Sequence, residues 1–330
     1  MSAPAPRIVA LGGGTGLPVV LAGLKRALFS AAEPHEAGRE RLTAVVTVAD
    51  DGGSSGRLRR AYGILAPGDI RNCLLALADN EGPLKALFEF RFDGNDGVSG
   101  HNLGNLMLAA LSRVEGDFAA AVERAAEILQ VRGRVLASTS ANVSLVAEFE
   151  GGIRVAGESN LAAVRRPIRR IHLEPSNAAL SPSAREALLQ ADLVVIGPGS
   201  LFTSLIPTLL VRGVPESLGA SRAAVVLVMN VMTEHGETDG FNASDHVRAI
   251  RSHAPGLRID HVLLNTSPIP AQVLRRYGGE SAAPVAADQD ALLQLGCRPV
   301  AAPLLQAGAK VRHDPDALAE ALQALAGPRS

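Results

Sequence analysis

The chain has 330 residues, with 32 Lys or Arg against 33 Asp or Glu, a formal charge of −1; 47% of residues are hydrophobic and 20% charged. That is a globular composition with ample material for a buried core. The near-zero charge excludes nucleic acid or an anionic membrane as a partner held by long-range charge, and 3% aromatics with no Trp exclude a site built on stacked bases.

Five short runs rich in Val, Ile and Leu read as fully buried parallel strands: Arg7–Leu11, Thr43–Val48, Leu193–Ile196, Ala224–Met229 and His261–Leu264. Each is followed by Gly, Asp, Asn or Pro and then by a helical pattern. Helices are expected at Leu17–Phe29, Asp69–Ala78, Asn102–Arg113, Phe118–Gln130, Ser183–Gln190, Leu201–Val211, Ser244–Ser252, Ala271–Arg276 and Pro315–Leu325. The alternation implies βαβ units with right-handed crossovers. The fold expected is Rossmann-like, a three-layer α/β/α arrangement around a mostly parallel sheet, with residues 1–330 as one α/β domain. Between about residues 135 and 174 the apolar positions alternate instead, and Gly151–Gly152 separates two such runs. This predicts an inserted antiparallel hairpin segment.

Leu193–Val211 carries no charge, but Gly197, Pro198, Gly199 and Pro207 interrupt it, so it reads as strand, turn and helix and not as a membrane span. No secretory signal is recognisable. Cys73 and Cys297 are too few for a disulfide framework or a zinc site and read as buried thiols in a reducing cytoplasm. The Leu/Ala-rich helix beginning at Asn102 reads either as core or as a subunit face of a homodimer.

Open parallel sheets bind ligands outside the carboxyl ends of their strands. After the first strand comes Gly12-Gly13-Gly14-Thr15-Gly16 and then a helix. Glycines let the backbone approach an anion, and the helix start adds free N–H groups. Leu17 stands where the dinucleotide fingerprint needs Gly, and no Gly-Lys-Ser/Thr follows, so neither an NAD site nor a P-loop is expected. After the second strand comes Asp50-Asp51, then Gly52-Gly53-Ser54-Ser55-Gly56-Arg57. The two carboxylates are candidates for a ribose hydroxyl or a hydrated Mg²⁺. The loop behind them offers N–H and hydroxyl donors to phosphate, and Arg57 adds a bidentate donor.

Arg71 and Asn72 fall in the first turn of a helix, where a cation is disfavoured unless it holds an anion. Asn102 caps the next helix, with Gly104 and Asn105 in its first turn leaving room for a ligand. Gly197-Pro198-Gly199-Ser200 forms a second anion-receptive turn, and Asn230 ends the fourth strand. The histidines show no metal-binding spacing, and Ser200 lacks a nucleophile elbow.

The strings VALGGGTGL, VTVADDGGSSGRLR, APGDIRNCLLAL, GHNLGNLMLAAL and VIGPGSLFTSL closely resemble the bacterial gluconeogenesis-factor family, over nearly the whole chain. The resemblance implies a cytoplasmic protein that binds UDP-sugars, notably UDP-N-acetylglucosamine, and is related in fold to 2-phospho-L-lactate transferases. It implies roles in growth on gluconeogenic carbon, in cell shape and in amino-sugar supply to the wall, with an amino-sugar biosynthesis enzyme as a partner and no obligatory cofactor. By the same resemblance, Gly12–Gly16 is a diphosphate-contacting loop, Asp50 and Asp51 are the acidic pair, and Arg312 belongs to an Arg-His-Asp motif linked to nucleotide-sugar binding. Some relatives carry a phosphorylated threonine directly after that motif; Pro315 stands there, so this switch is not expected. The leading reading is a UDP-sugar-binding regulator without turnover. The alternative is a Mg²⁺-dependent transferase moving a phosphorylated group from a nucleotide-linked donor.

Overall fold

Burial on both faces decides the architecture. In the computed structural model, which describes residues 5–327 except 80, 81, 96, 162, 163, 165, 279–281 and 309, the strands are β1 (Ile8–Gly12), β2 (Leu42–Val46), β3 (Arg134–Ala137), β4 (Ser144–Phe149), β5 (Arg154–Ala156), β6 (Ile168–Glu174), β7 (Leu193–Ile196), β8 (Ala224–Val228), β9 (His261–Asn265) and β10 (Arg298–Ala302). Every residue of β1, β2 and β7 is buried. Uninterrupted apolar runs of this kind suit a parallel sheet covered on both sides. Seven strands pair in parallel in the order β10-β9-β8-β7-β1-β2-β3, with Ile8 opposite Leu42 on one side and Leu193 on the other.

The chain leaves β1 toward β2 and β3, then returns to the other side of β1 to lay down β7, β8, β9 and β10. The direction of winding therefore reverses between β1 and β7, and a reversal leaves a crevice at the carboxyl ends of the two strands. The helices between β1 and β3 are α1 (Gly16–Leu28), α2 (Gly53–Tyr62), α3 (Gly68–Leu77), α4 (Pro83–Glu89), α5 (Leu103–Glu115) and the helix Phe118–Ile128; α1, α3 and α4 supply residues to the crevice. Helix α1 packs against α3 and against the helix Pro315–Leu325. Gly23 makes the second contact feasible, because a methyl group there would sit 1.8 Å from the Pro315 carbonyl oxygen.

The antiparallel insertion is present as a separate sheet in the order β5-β4-β6. Gly151 and Gly152 both have positive φ, 89° and 78°, in the turn between β4 and β5. The insertion begins later than expected: residues 135–137 belong to β3, which pairs in parallel with β2. The helix expected over Leu201–Val211 is split into a π-helical turn at Leu201–Leu205 and a helix at Ile206–Leu209. Among the described residues no helix is long and apolar enough to cross a membrane. Cys73 and Cys297 are buried free thiols.

Candidate functional site

Two glycine-bearing bends meet in the crevice. At the end of β1, Gly12 and Gly14 have φ of 152° and 64°, values that L side chains rarely adopt. A methyl group at Gly13 would lie 2.5 Å from Asp69 Oδ2, and one at Gly16 would lie 2.3 Å from the Pro198 carbonyl oxygen. The first bend is glycine-rich because it is wedged between α3 and the second bend. That second bend follows β7: Gly197 has φ 75°, and the Gly197–Pro198 peptide is cis. Asn230, just beyond β8, pins it from the side. Its Oδ1 accepts from the Gly199 N–H at 3.1 Å, and its Nδ2 donates to the Gly199 carbonyl at 2.9 Å.

A cavity of about 870 Å³ opens over the paired bends. Of the residues expected in a ligand site, Gly14, Thr15, Gly16, Arg71, Asn72, Asn102, Gly199, Ser200, Asn230 and Arg312 line it. Gly12, Gly13 and Gly197 form the backbone beneath. Arg312 and its neighbours reach the cavity through a strap. The Val311 N–H donates to Tyr277 Oη at 3.2 Å and the Asp314 N–H to the Leu304 carbonyl at 2.7 Å. Asp314 then caps the helix Pro315–Leu325 by accepting from the N–H groups of Asp316 and Ala317. Pro315 occupies a first-turn position that needs no N–H donor.

The stretch after β2 is arranged differently from expectation. Residues 53–56 are not a phosphate loop but the first turn of α2. Ser54 is buried with its Oγ 3.0 Å from His101 Nδ1. Ser55 packs over Gly68, and Gly56 is needed because a methyl group there would strike the Asp51 carbonyl at 1.7 Å. Arg57 donates to the Ser99 carbonyl at 2.7 Å. None of these four lines the cavity, and neither does Asp50 or Asp51. Asp50 Oδ1 accepts from the Gly52 N–H at 2.8 Å, whereas Asp51 Oδ1 accepts from the Ser159 N–H of the insertion at 3.0 Å. The doublet is thus divided between two partners, and among the described residues no group of three or more His, Cys, Asp or Glu side chains is set to hold a metal ion. Nor does Gly104 leave space for a ligand: the Phe88 carbonyl and Arg71 Cδ fill it. Asn105 faces inward and accepts from Arg71 Nη1 at 2.9 Å.

Several ionisable groups to which sequence reasoning gave no ligand role gather around this site. Burial pushes the Asp69 carboxyl up to about 6, against a hydrogen bond from the Gly14 N–H and with the Asp50 charge adding to the rise. Burial, then Asp50, Asp69, Glu237 and Asp51, push Glu158 up to about 8. Burial and then Glu234 raise Glu237 to about 7, while the Phe202 N–H and the Thr203 hydroxyl oppose the shift. Glu234, in the cavity wall, is also raised by burial, with Ser200 as its hydrogen-bond partner. Burial lowers His313 to about 4 in spite of a hydrogen bond to the Met229 carbonyl, so it is neutral at pH 7. Lys85, Arg91 and Tyr277 complete the wall. The sequence signals among these were the Arg-His-Asp string around His313, Asp69 as a helix-cap candidate and Glu234 just after the fourth strand; Glu158 and Glu237 arrive without one.

The family model for 2-phospho-L-lactate transferase CofD matches residues 8–305. A gluconeogenesis factor of Halalkalibacterium halodurans is 42% identical over 316 residues, spanning 96% of this chain and 95% of that protein. A gluconeogenesis factor of Bacillus subtilis is 44% identical over 291 residues, 88% of each. A crystal structure of a Bacillus halodurans protein matches with a TM-score of 0.90 at 42% identity, covering 97% of this chain and 100% of the other.

Proposed function

Since the chain belongs to the 2-phospho-L-lactate transferase CofD family and resembles its gluconeogenesis factors over most of its length, we propose that it is a UDP-sugar-binding regulator acting in the cytoplasm on wall-precursor supply and cell shape during gluconeogenic growth. UDP-N-acetylglucosamine is the ligand we favour, and an amino-sugar biosynthesis enzyme the partner. One observation carries the reading: two bends from β1 and β7 abut at the point where the sheet reverses, under a cavity large enough for a nucleotide sugar. The N–H groups at the start of α1, beside these bends, suit a diphosphate. Micromolar binding corresponds to about −8 kcal/mol. Charge-assisted hydrogen bonds contribute about 1.5–3 kcal/mol each, so several of them reach that value even after ordering costs. Arg312, exposed at the cavity wall, supplies one such donor.

A second reading is favoured by the acidic groups beside the first bend. Asp69 touches Gly14 through its N–H, and Asp50 acts on Asp69. A Mg²⁺ ion there would offset charge on the departing nucleoside monophosphate. Cleavage of the bond between the two phosphates would pass the phosphorylated sugar to an acceptor and release UMP, with Asp50 acting on this step from behind the cavity wall through Asp69.

Isothermal titration with UDP-N-acetylglucosamine and Mg²⁺ tests both readings. Binding heat, weakened about tenfold or more by Arg312→Ala, with intact ligand recovered afterwards in the presence of cell extract, is the regulator's result. Recovery of stoichiometric UMP, lost in Asp50→Asn, would replace it with the transferase. No heat would contradict nucleotide-sugar binding altogether.

A further inference from the structure

The cavity runs from residues that follow β8, past the bends after β7 and β1, to α3 and α4 beyond β2. Three strand spacings make that about 14 Å. The β8 end, with Val231, Met232, Tyr277 and Val311, suits a base, and a diphosphate over the α1 start then leaves the sugar at the α3 end. The charges at that end answer one another, since Asp69, Asp50 and Glu89 act on the Arg71 guanidinium against Arg91. What this end can read is therefore a neutral group.

Three asparagine side chains stand in the cavity wall: Asn72, Asn102 and Asn230. Two are spent on the protein. Asn230 is bonded to Gly199 at both ends of its amide. Asn102 accepts from the Asn105 N–H at 3.2 Å and donates to the Glu89 carbonyl at 3.0 Å. Asn72 differs. Its Oδ1 accepts from Arg71 Nη2 at 2.6 Å, and among the described residues no acceptor meets its Nδ2. A guanidinium only donates, so Arg71 fixes which way this amide faces: oxygen on the guanidinium, both N–H groups away from it, in a side chain that lines the cavity. Arg71 is itself only 9% exposed and is held by Asn105 Oδ1, which accepts from Nη1 at 2.9 Å. A cationic donor on the amide oxygen also polarises the amide and makes its N–H groups stronger donors.

The neighbours of Asn72 are apolar. Leu75 and Ala76, three and four residues further along α3, share its helix face and line the cavity with it. Pro18 and Val19 of α1, which packs against α3, stand in the same wall. Oriented N–H donors bordered by apolar side chains are the complement of a small amide, with a carbonyl to accept and a methyl group to bury.

Resting on the UDP-sugar reading and specifying how its sugar is read, we propose that Asn72 is a specificity residue: its Nδ2 donates to the carbonyl of a 2-acetamido group on the sugar, and Leu75, Ala76 and Val19 receive the methyl group. UDP-N-acetylglucosamine and UDP-glucose differ only in an acetamido group against a hydroxyl at C2, which makes them the probes. Titrated into the full chain, UDP-N-acetylglucosamine should bind about tenfold tighter or more. Asn72→Asp keeps the size of the side chain and the oxygen on Arg71 but removes both donors. Its added charge bears on both probes alike, because they carry the same diphosphate, so the ratio of affinities isolates the acetamido group. Asn72→Leu removes the donors without adding charge. The gap should shrink to about threefold or less in each variant, with the fold checked by circular dichroism. Equal binding of the two probes by the wild type overturns the inference and leaves the UDP-sugar reading standing. A gap that survives in both variants, whether or not the two probes weaken together, shows that Asn72 does not meet the acetamido group and overturns its assignment. Binding of neither probe by the wild type removes the UDP-sugar reading and the inference with it.

Discussion

Glycines at the bends are there for contact. Gly16→Ala would place a methyl group 2.3 Å from a backbone carbonyl that Asn230 helps to hold, and backbone cannot move aside as a flexible side chain can. This change should cost about 2 kcal/mol of stability or more, read by urea denaturation; a cost within experimental error would mean that the two bends do not touch. Glu158 makes a pH-dependent prediction. Its folded value of about 8 lies above the ordinary 4.5, so the folded chain holds the extra proton between those limits. Its contribution is fully present below pH 4.5 and is lost as pH rises through about 8. Glu158→Gln should therefore flatten the fall of the urea midpoint between pH 5 and pH 8.5, and the same decline in both proteins would show that the carboxyl is not crowded by Asp50 and Asp69. No signal in the sequence pointed to Glu158: it lies in the insertion and reaches the acidic group only because Asp51 accepts from the neighbouring Ser159 N–H. Arg91 was invisible for a similar reason, since it is an ordinary polar residue until the fold carries it to the cavity wall.

At the scale of elements, the strands read correctly are those buried on both faces, where an uncharged run of Val, Ile and Leu has no other home. The strands β3 and β10 escaped because they are the two edges of the sheet. Both begin with arginine, both are largely half-buried, and β10 contains Pro299, a residue confined to edges. Helix α2 escaped because Gly-Ser-Ser-Gly is a poor helix former, and tertiary contacts override that propensity. Arg59, 8% exposed, is central to them. It donates to the Ala49 and Asp50 carbonyls beyond β2 at 3.2 and 3.0 Å, and to Asn142 Oδ1 and the Val143 carbonyl ahead of β4 at 2.6 and 2.5 Å. It thereby ties α2, the end of β2 and the start of the insertion together. Replacing it with methionine keeps the volume but leaves those acceptors without a donor. Arg59→Met should cost about 2 kcal/mol or more in urea denaturation, whereas a neutral effect would show that the four contacts are not made.

For the whole molecule, strand order matters more than any single residue. Because winding reverses between β1 and β7, segments some 185 residues apart in sequence present their bends to one space, as the packing of Gly16 on Pro198 shows. The two bends were legible in the sequence as glycine clusters after buried strands; their direct contact was not, since it follows from pairing between β1 and β7 across that distance. The acidic doublet was legible too, but its two side chains turn to different partners and stand behind the cavity wall. A ligand bridging the bends would touch both the β1–β2–β3 side of the sheet and the β7–β10 side. Hydrogen exchange read by mass spectrometry, with and without saturating UDP-N-acetylglucosamine, tests this directly. The account predicts slowed exchange in the peptides covering residues 13–17 and 198–204 together; binding that protects neither bend, or protects only the stretch after β2, would contradict it.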